Sequence, residues 1–207
     1  MPFPSGSIFC AFCPTVSIVR PGSLQMQKFE GKNIYLCGFM GSGKSSVAKR
    51  LAARLGWAYV DIDREVEKLE NKKISDIFAA RGEPYFRSRE EEMIGWASRS
   101  ERKVVSLGGG ALLSKKNRSK VAESGILVWL SASPQVLVER LAKSYLRPLM
   151  KAEWLDDGKP SQLFLDFLSE RETEYRKAHV SVSTDGKSSE QAAGEIYKFL
   201  KEKFHAG

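Results

Sequence analysis

The stretch Asn33-Ile34-Tyr35-Leu36-Cys37-Gly38-Phe39-Met40-Gly41-Ser42-Gly43-Lys44-Ser45 passes from a short apolar run into a glycine-rich segment ending in Lys-Ser. From Gly38 onward it fits the spacing G-x-x-x-x-G-K-[ST], a loop that wraps nucleotide phosphates. The setting agrees with that reading. An apolar strand leads in, and a helical pattern leads out with Val47, Ala48, Leu51, Ala52 and Leu55 on one face. Glycines let backbone N–H groups converge on phosphate oxygens, and the helix N-terminus adds partial positive charge. Lys44 would reach the β- and γ-phosphates, and the Ser45 hydroxyl would ligate Mg²⁺.

Beyond this loop, strand and helix patterns alternate. The spacing predicts a buried strand over 57–60 ending at Asp61-Ile62-Asp63, then a helix over 64–80 broken by Gly82-Glu83-Pro84. A second helix starts near Phe86, and a strand over 104–107 stops at Gly108-Gly109-Gly110. The most apolar strand covers 125–130, followed by a helix from Pro134. A polar stretch about 144–160, holding Arg147 and Asp156-Asp157-Gly158, reads as a mobile loop. A helix over 161–177, a strand over 179–183 and an amphipathic helix over 189–204 close the chain. Such alternation implies a parallel sheet with helices on both faces, whose sites gather at the carboxyl ends of the strands. The phosphate loop, Asp61, Asp63 and the triple glycine all fall there.

At 207 residues, 42% hydrophobic and 28% charged, the chain suits one globular α/β domain. No apolar run is long enough to span a bilayer, so no membrane partner is expected. The net charge of +8 is spread among acids, as in Asp63-Arg64-Glu65, and is not gathered in one tract. It therefore suits a site for several anionic groups better than a nucleic-acid surface. The three cysteines, Cys10, Cys13 and Cys37, offer no disulfide framework and point to a reducing compartment. Residues 1–27 hold no Asp or Glu and one Arg. They read as an N-terminal extension outside the fold with a working start at Met26, the alternative being a remnant of an organelle-targeting segment. The expected domain is then 28–207. No surplus apolar helix face asks for a partner, so a monomer is expected.

Taken alone, the residues at the strand ends leave alternatives open. Asp61 and Asp63 point the same way in extended backbone and could serve Mg²⁺ and an acceptor hydroxyl. An acidic helix cap explains them equally well. The triple glycine allows close approach of a substrate, or is a flexible turn. Arg87, Arg140, Arg147 and Arg171 could each be solvated surface residues.

The ordered set of motifs resembles the shikimate kinases, nucleoside-monophosphate-kinase-like enzymes of aromatic amino-acid biosynthesis. It comprises the phosphate loop, Leu55-Gly56, Asp61-x-Asp63, Ile77-Phe78, Gly82-Glu83, Phe86-Arg87-x-x-Glu90, Leu107-Gly108-Gly109-Gly110, Arg147-Pro148-Leu149 and Arg171-x-x-x-Tyr175-x-x-Ala178. The resemblance covers about 33–203. It implies a three-layer α/β/α fold around a five-stranded parallel sheet of order 2-3-1-4-5, with a lid at about 144–160. It also implies ATP-dependent phosphorylation of the 3-hydroxyl of shikimate in the cytoplasm, or in a plastid if residues 1–27 are a targeting segment.

By the same resemblance, Gly41, Ser42, Gly43, Lys44, Ser45 and Ser46 hold ATP, Arg140 lies against adenine, and Arg147 reaches the phosphates from the lid. Asp63 is the base at the acceptor hydroxyl, with Lys44 and Arg147 as its catalytic companions. Arg87 and Arg171 pair with the acceptor carboxylate, and Glu90 orients Arg87. Gly108, Gly109 and Gly110 line the pocket, Phe78 and Phe86 flank the ring, and Ser45 with Asp61 handles Mg²⁺. The chain departs from the family pattern at Ser46, Thr173, Glu174 and His179, and in a longer segment over 151–160. None of these removes a proposed catalytic group.

Overall fold

A computed structural model describes residues 16–17, 32–143 and 152–204. Five parallel strands form the centre: β1 (Asn33–Cys37), β2 (Ala58–Asp61), β3 (Lys103–Ser106), β4 (Gly125–Ser131) and β5 (Val180–Ser183). Their order is 2-3-1-4-5, as expected. The pair Val16–Ser17 adds an antiparallel strand on the β5 edge, with Val16 opposite Val182.

Alternation along β1 sorts the core into two sides. Ile34 and Leu36 face Val47, Ala48 and Leu51 of helix α1 (Lys44–Leu55), together with Ala193 and Ile196 of helix α7 (Ser189–Phe204). Tyr35 and Cys37 face the opposite layer, where Val105, Leu127 and Trp129 also point. A sheet covered on both faces explains why β1 and β4 read as continuous apolar runs instead of alternating ones.

Helix α2 (Ile62–Glu70) starts directly from β2, with Asp61 as its N-cap, and ends at Asn71 in left-handed backbone. The expected single helix over 64–80 is therefore two. After the Asn71 stop, helix α3 (Ile74–Ser98) begins, and Gly82 at φ 76° and ψ 171° redirects it. Only glycine adopts that backbone without strain. Pro84 follows in the first turn of the new segment, where its missing N–H costs nothing. This second half carries Phe86, Arg87 and Glu90 inward.

Helix α4 (Lys115–Ser124) has no counterpart in the sequence expectations. Its ten residues bury only Asn117 and Val121, too few to mark an apolar stripe. Helix α5 (Pro134–Ala142) packs Leu137 and Leu141 into the core. Within the polar stretch expected to be a mobile loop, Leu155–Asp156 and Lys159–Pro160 pair as a short antiparallel hairpin. Helix α6 (Gln162–Tyr175) is capped by the Ser161 hydroxyl and buries Phe164, Leu168 and Tyr175. No helix among the described residues is long and apolar enough to cross a membrane.

Candidate active site

The donor half is built at the β1–α1 junction. Lys44 Nζ donates to the carbonyl oxygens of Gly38 and Phe39, each at 2.9 Å, and so folds back along its own loop. Ser42 is buried with an unpartnered Oγ, and Ser46 is exposed. Arg140, on α5, donates through Nη1 to the Gly41 carbonyl at 3.3 Å and to Thr184 Oγ1 at 3.0 Å. Its Nη2 reaches the Thr184 carbonyl at 2.7 Å. Arg140 thus stands beside the phosphate loop, fixed there from the end of β5. Arg147 lies outside the described residues.

Next to the loop, the carboxyl ends of β2 and β3 are in register, with Asp61 opposite Ser106. Ser106 Oγ lies 3.4 Å from Ser45 Oγ. Asp61 is buried, accepts the Arg64 N–H at 3.4 Å through Oδ1, and accepts the Tyr59 hydroxyl at 3.0 Å through Oδ2. Burial, and then the neighbouring Asp61 carboxylate, push the Tyr59 hydroxyl up to about 12, so it stays a donor at neutral pH. Asp61 thus serves both as helix cap and as a strand-end carboxylate. The two readings of its sequence position are compatible.

The acceptor half centres on Gly108–Gly110. A Cβ on Gly108 would lie 2.3 Å from Glu90 Oε1 and 2.8 Å from Asp63 Oδ1, and one on Gly110 would lie 2.5 Å from Arg87 Nη2. A side chain at either position would have to displace the carboxylates or the guanidinium that press on the turn. A Cβ on Gly109 would sit 3.7 Å from the Met40 backbone nitrogen, so the same turn also touches the phosphate loop. Donor and acceptor halves meet there. The Tyr175 hydroxyl donates to the Gly109 carbonyl and anchors the turn from α6.

Arg87 is held by two acids. Its Nη1 meets Glu90 Oε2 at 2.9 Å, and its Nη2 meets Glu83 Oε1 at 2.8 Å. Burial pulls the guanidinium pKa down, but Glu90 and Glu83 outweigh that and hold it above its ordinary value. Glu90 is fully buried, and its Oε1 has no hydrogen-bond partner. Burial lifts its carboxyl to about 7; Arg87 opposes the rise, while Asp63 and Glu83 add to it. Phe78 and Phe86 stack at 4.9 Å between centroids beside this pair. Arg171, on α6, has its pKa lowered by burial and also by the nearness of Arg87, which puts the two cations in one field. An arginine remains charged through such a shift.

The expected residues Lys44, Ser45, Asp61, Asp63, Phe78, Phe86, Arg87, Glu90, the three glycines and Arg171 therefore converge on the carboxyl edge of the sheet. Sequence reasoning missed Tyr59, Glu83, Ser106 and Thr184. Tyr59 and Asp61 share one face of β2 by period two, and Glu83 precedes Arg87 by one helical turn, so both carried a signal. Thr184 is joined to the site only by tertiary structure, and Ser106, though two residues before Gly108, meets Ser45 only through the fold. A concavity of about 400 Å³ lies away from this edge, between α4 and the end of α6 near Leu127 and His179. It shares no lining residue with the site. The phosphate loop and carboxylate–arginine cluster are the better guide to chemistry, because they supply converging polar groups.

A glycine-rich phosphate loop, a strand-end carboxylate pair and an arginine cluster on one parallel sheet define a P-loop kinase for a small anionic acceptor. The family model for shikimate kinases matches residues 40–201. The chain is 43% identical to a shikimate kinase of Persephonella marina over 165 residues, covering 80% of this chain and 96% of that one. It is 41% identical to one from Geobacter metallireducens, covering 82% and 92% respectively. Among solved structures, the shikimate kinase of Acinetobacter baumannii in complex with shikimate superimposes with a TM-score of 0.76 at 31% identity, covering 84% of this chain and 96% of that chain. The enzyme from Aquifex aeolicus gives a TM-score of 0.72 at 34% identity, covering 84% and 99%. The chain belongs to the shikimate kinase family.

Proposed function

We propose that the chain transfers the γ-phosphoryl group of ATP to the 3-hydroxyl of shikimate, giving shikimate 3-phosphate and ADP on the route to chorismate. One observation carries the reading. The Gly108–Gly110 turn touches Asp63, Glu90, Arg87 and the phosphate loop at once, so an acceptor lying on it has a base, a carboxylate partner and the donor within reach.

Each residue then has a defined task. Arg87 and Arg171 receive the acceptor carboxylate, for which planar guanidinium groups are the matched partners. Glu90 and Glu83 hold the Arg87 guanidinium in place for that contact. The stacked rings of Phe78 and Phe86 flank the acceptor ring. Asp63 takes the proton of the attacking hydroxyl as the new O–P bond forms and the bond to the β-phosphate oxygen breaks, releasing ADP. Lys44 exchanges the Gly38 and Phe39 carbonyls for phosphate oxygens, and Arg147 closes over them from the lid. Arg140 keeps Gly41 in place at the edge of the nucleotide site.

Ser45 and Asp61 present oxygen donors only. That set suits Mg²⁺, which is held by one or two carboxylates together with substrate phosphates. Among the described residues no cluster of three or more His, Cys, Asp and Glu offers a site of its own, in keeping with a metal that arrives with the nucleotide. Bound there, Mg²⁺ supplies charge neutralisation at the phosphate oxygens. All proposed groups come from one chain, so a monomer suffices. The lack of a disulfide framework is in keeping with a cytoplasmic enzyme.

A coupled ADP-release assay with shikimate, gluconate and no acceptor tests the reading. Turnover with shikimate alone is expected. Turnover with gluconate but not shikimate would overturn it in favour of a sugar-acid kinase.

A further inference from the structure

Phe167 stands one helical turn before Arg171 on α6 and has no assigned part in the reaction. The guanidinium carbon of Arg171 lies 3.4 Å from the centroid of the Phe167 ring. Arg171 Nη1 also donates to the Phe167 carbonyl at 3.1 Å. Among the described residues Arg171 forms an ion pair with Glu170 at 3.3 Å, a carboxylate whose side chain is 65% exposed. Exposed pairs of that kind fix little. The ring and the carbonyl are therefore what set the plane of this guanidinium, whose side chain is only 11% exposed.

The ring is itself braced. Phe39 of the phosphate loop meets it edge-on at 5.9 Å and 89°, and Trp154 packs on it at 5.1 Å. A guanidinium stacked on an aromatic face keeps its in-plane N–H donors pointing away from the ring, in the geometry that binds a carboxylate through two bonds.

We propose that Phe167 is a positioning residue for acceptor recognition: its ring, braced by Phe39 and Trp154, holds Arg171 face-on so that the arginine's edge donors meet the acceptor carboxylate. The proposal rests on the reading that Arg171 receives that carboxylate.

The test uses the full chain, steady-state kinetics and calorimetric titration with shikimate and with ATP. Phe167→Leu is expected to raise KM for shikimate about three- to tenfold, the worth of a partly desolvated cation–π contact. KM for ATP and kcat should stay within about twofold. Phe167→Tyr, which keeps the ring face, should restore parental values. Phe167→Met, close in volume and without a ring, carries the same expectation as leucine and serves should the leucine variant unfold. Ringless variants with parental KM for shikimate, or with both KM values raised alike, would overturn the proposal. Arg171→Ala separates the two levels. Weak shikimate binding there with normal binding in the ringless variants sinks the positioning role alone; normal binding in Arg171→Ala sinks the carboxylate reading and the proposal with it.

Discussion

Replacing Gly108 by alanine tests whether the acidic pair must sit where it does. The added Cβ would lie 2.3 Å from Glu90 Oε1 and 2.8 Å from Asp63 Oδ1, whereas ordinary contact begins at 3.4 Å. Glu90 must therefore retreat by about 1 Å. It is fully buried and bound to Arg87 at 2.9 Å, so the retreat displaces the arginine as well. Asp63 is pushed from the same side. A misplacement of about 1 Å at reacting groups costs about 10²-fold in rate. Gly108→Ala should accordingly lower kcat/KM for shikimate about 10²-fold, with about 1–3 kcal/mol of lost stability from overpacking. Calorimetric affinity for ATP alone should hold, because it is Gly109, not Gly108, that borders the phosphate loop. A folded variant turning over within about threefold of the parent would show that the two carboxylates are not positioned by this turn.

Asp63→Asn should lower kcat about 10²- to 10⁴-fold while sparing ATP binding, the range for losing a general base; near-parental kcat would remove Asp63 from that role. Glu90 sets a stability slope, since its folded carboxyl titrates at about 7 against an ordinary 4.5. A raised carboxyl contributes stability that is full below the unfolded value and is lost as pH rises through the folded one. Denaturant unfolding should therefore show the parent losing stability relative to Glu90→Gln between about pH 5 and about pH 8, and parallel curves would contradict this. Tyr59→Phe removes the 3.0 Å bond to Asp61. It should cost about 1 kcal/mol of stability and raise the Mg²⁺ concentration needed for half-maximal turnover, whereas an unchanged Mg²⁺ response would show that Asp61 needs no such support.

The central strands and the phosphate loop were legible because their signals are local: apolar runs, fixed spacing and helix periodicity. The sheet order and the convergence of Asp63, Arg87, Glu90 and Arg171 rested on resemblance, since no local rule brings residues so far apart in sequence to one turn. Helix α4 escaped notice because, among its ten residues, only Asn117 and Val121 are buried. The break at Asn71 was hidden because the carboxyl-end signal there is one residue in left-handed backbone, with no proline and no glycine. The triple glycine illustrates the limit best. Sequence alone could not separate a flexible turn from a close approach. The distances to Glu90, Asp63 and Arg87 decide for the latter.

The most direct measurement is phosphorus and proton NMR of the product formed from ATP and shikimate. A single phosphomonoester whose phosphorus couples to the proton on carbon 3, appearing in step with ADP, is the expected result. ATP consumed to inorganic phosphate without that ester, or a phosphate on another hydroxyl, would contradict the assignment of Asp63 and the arginine pair to one acceptor pose.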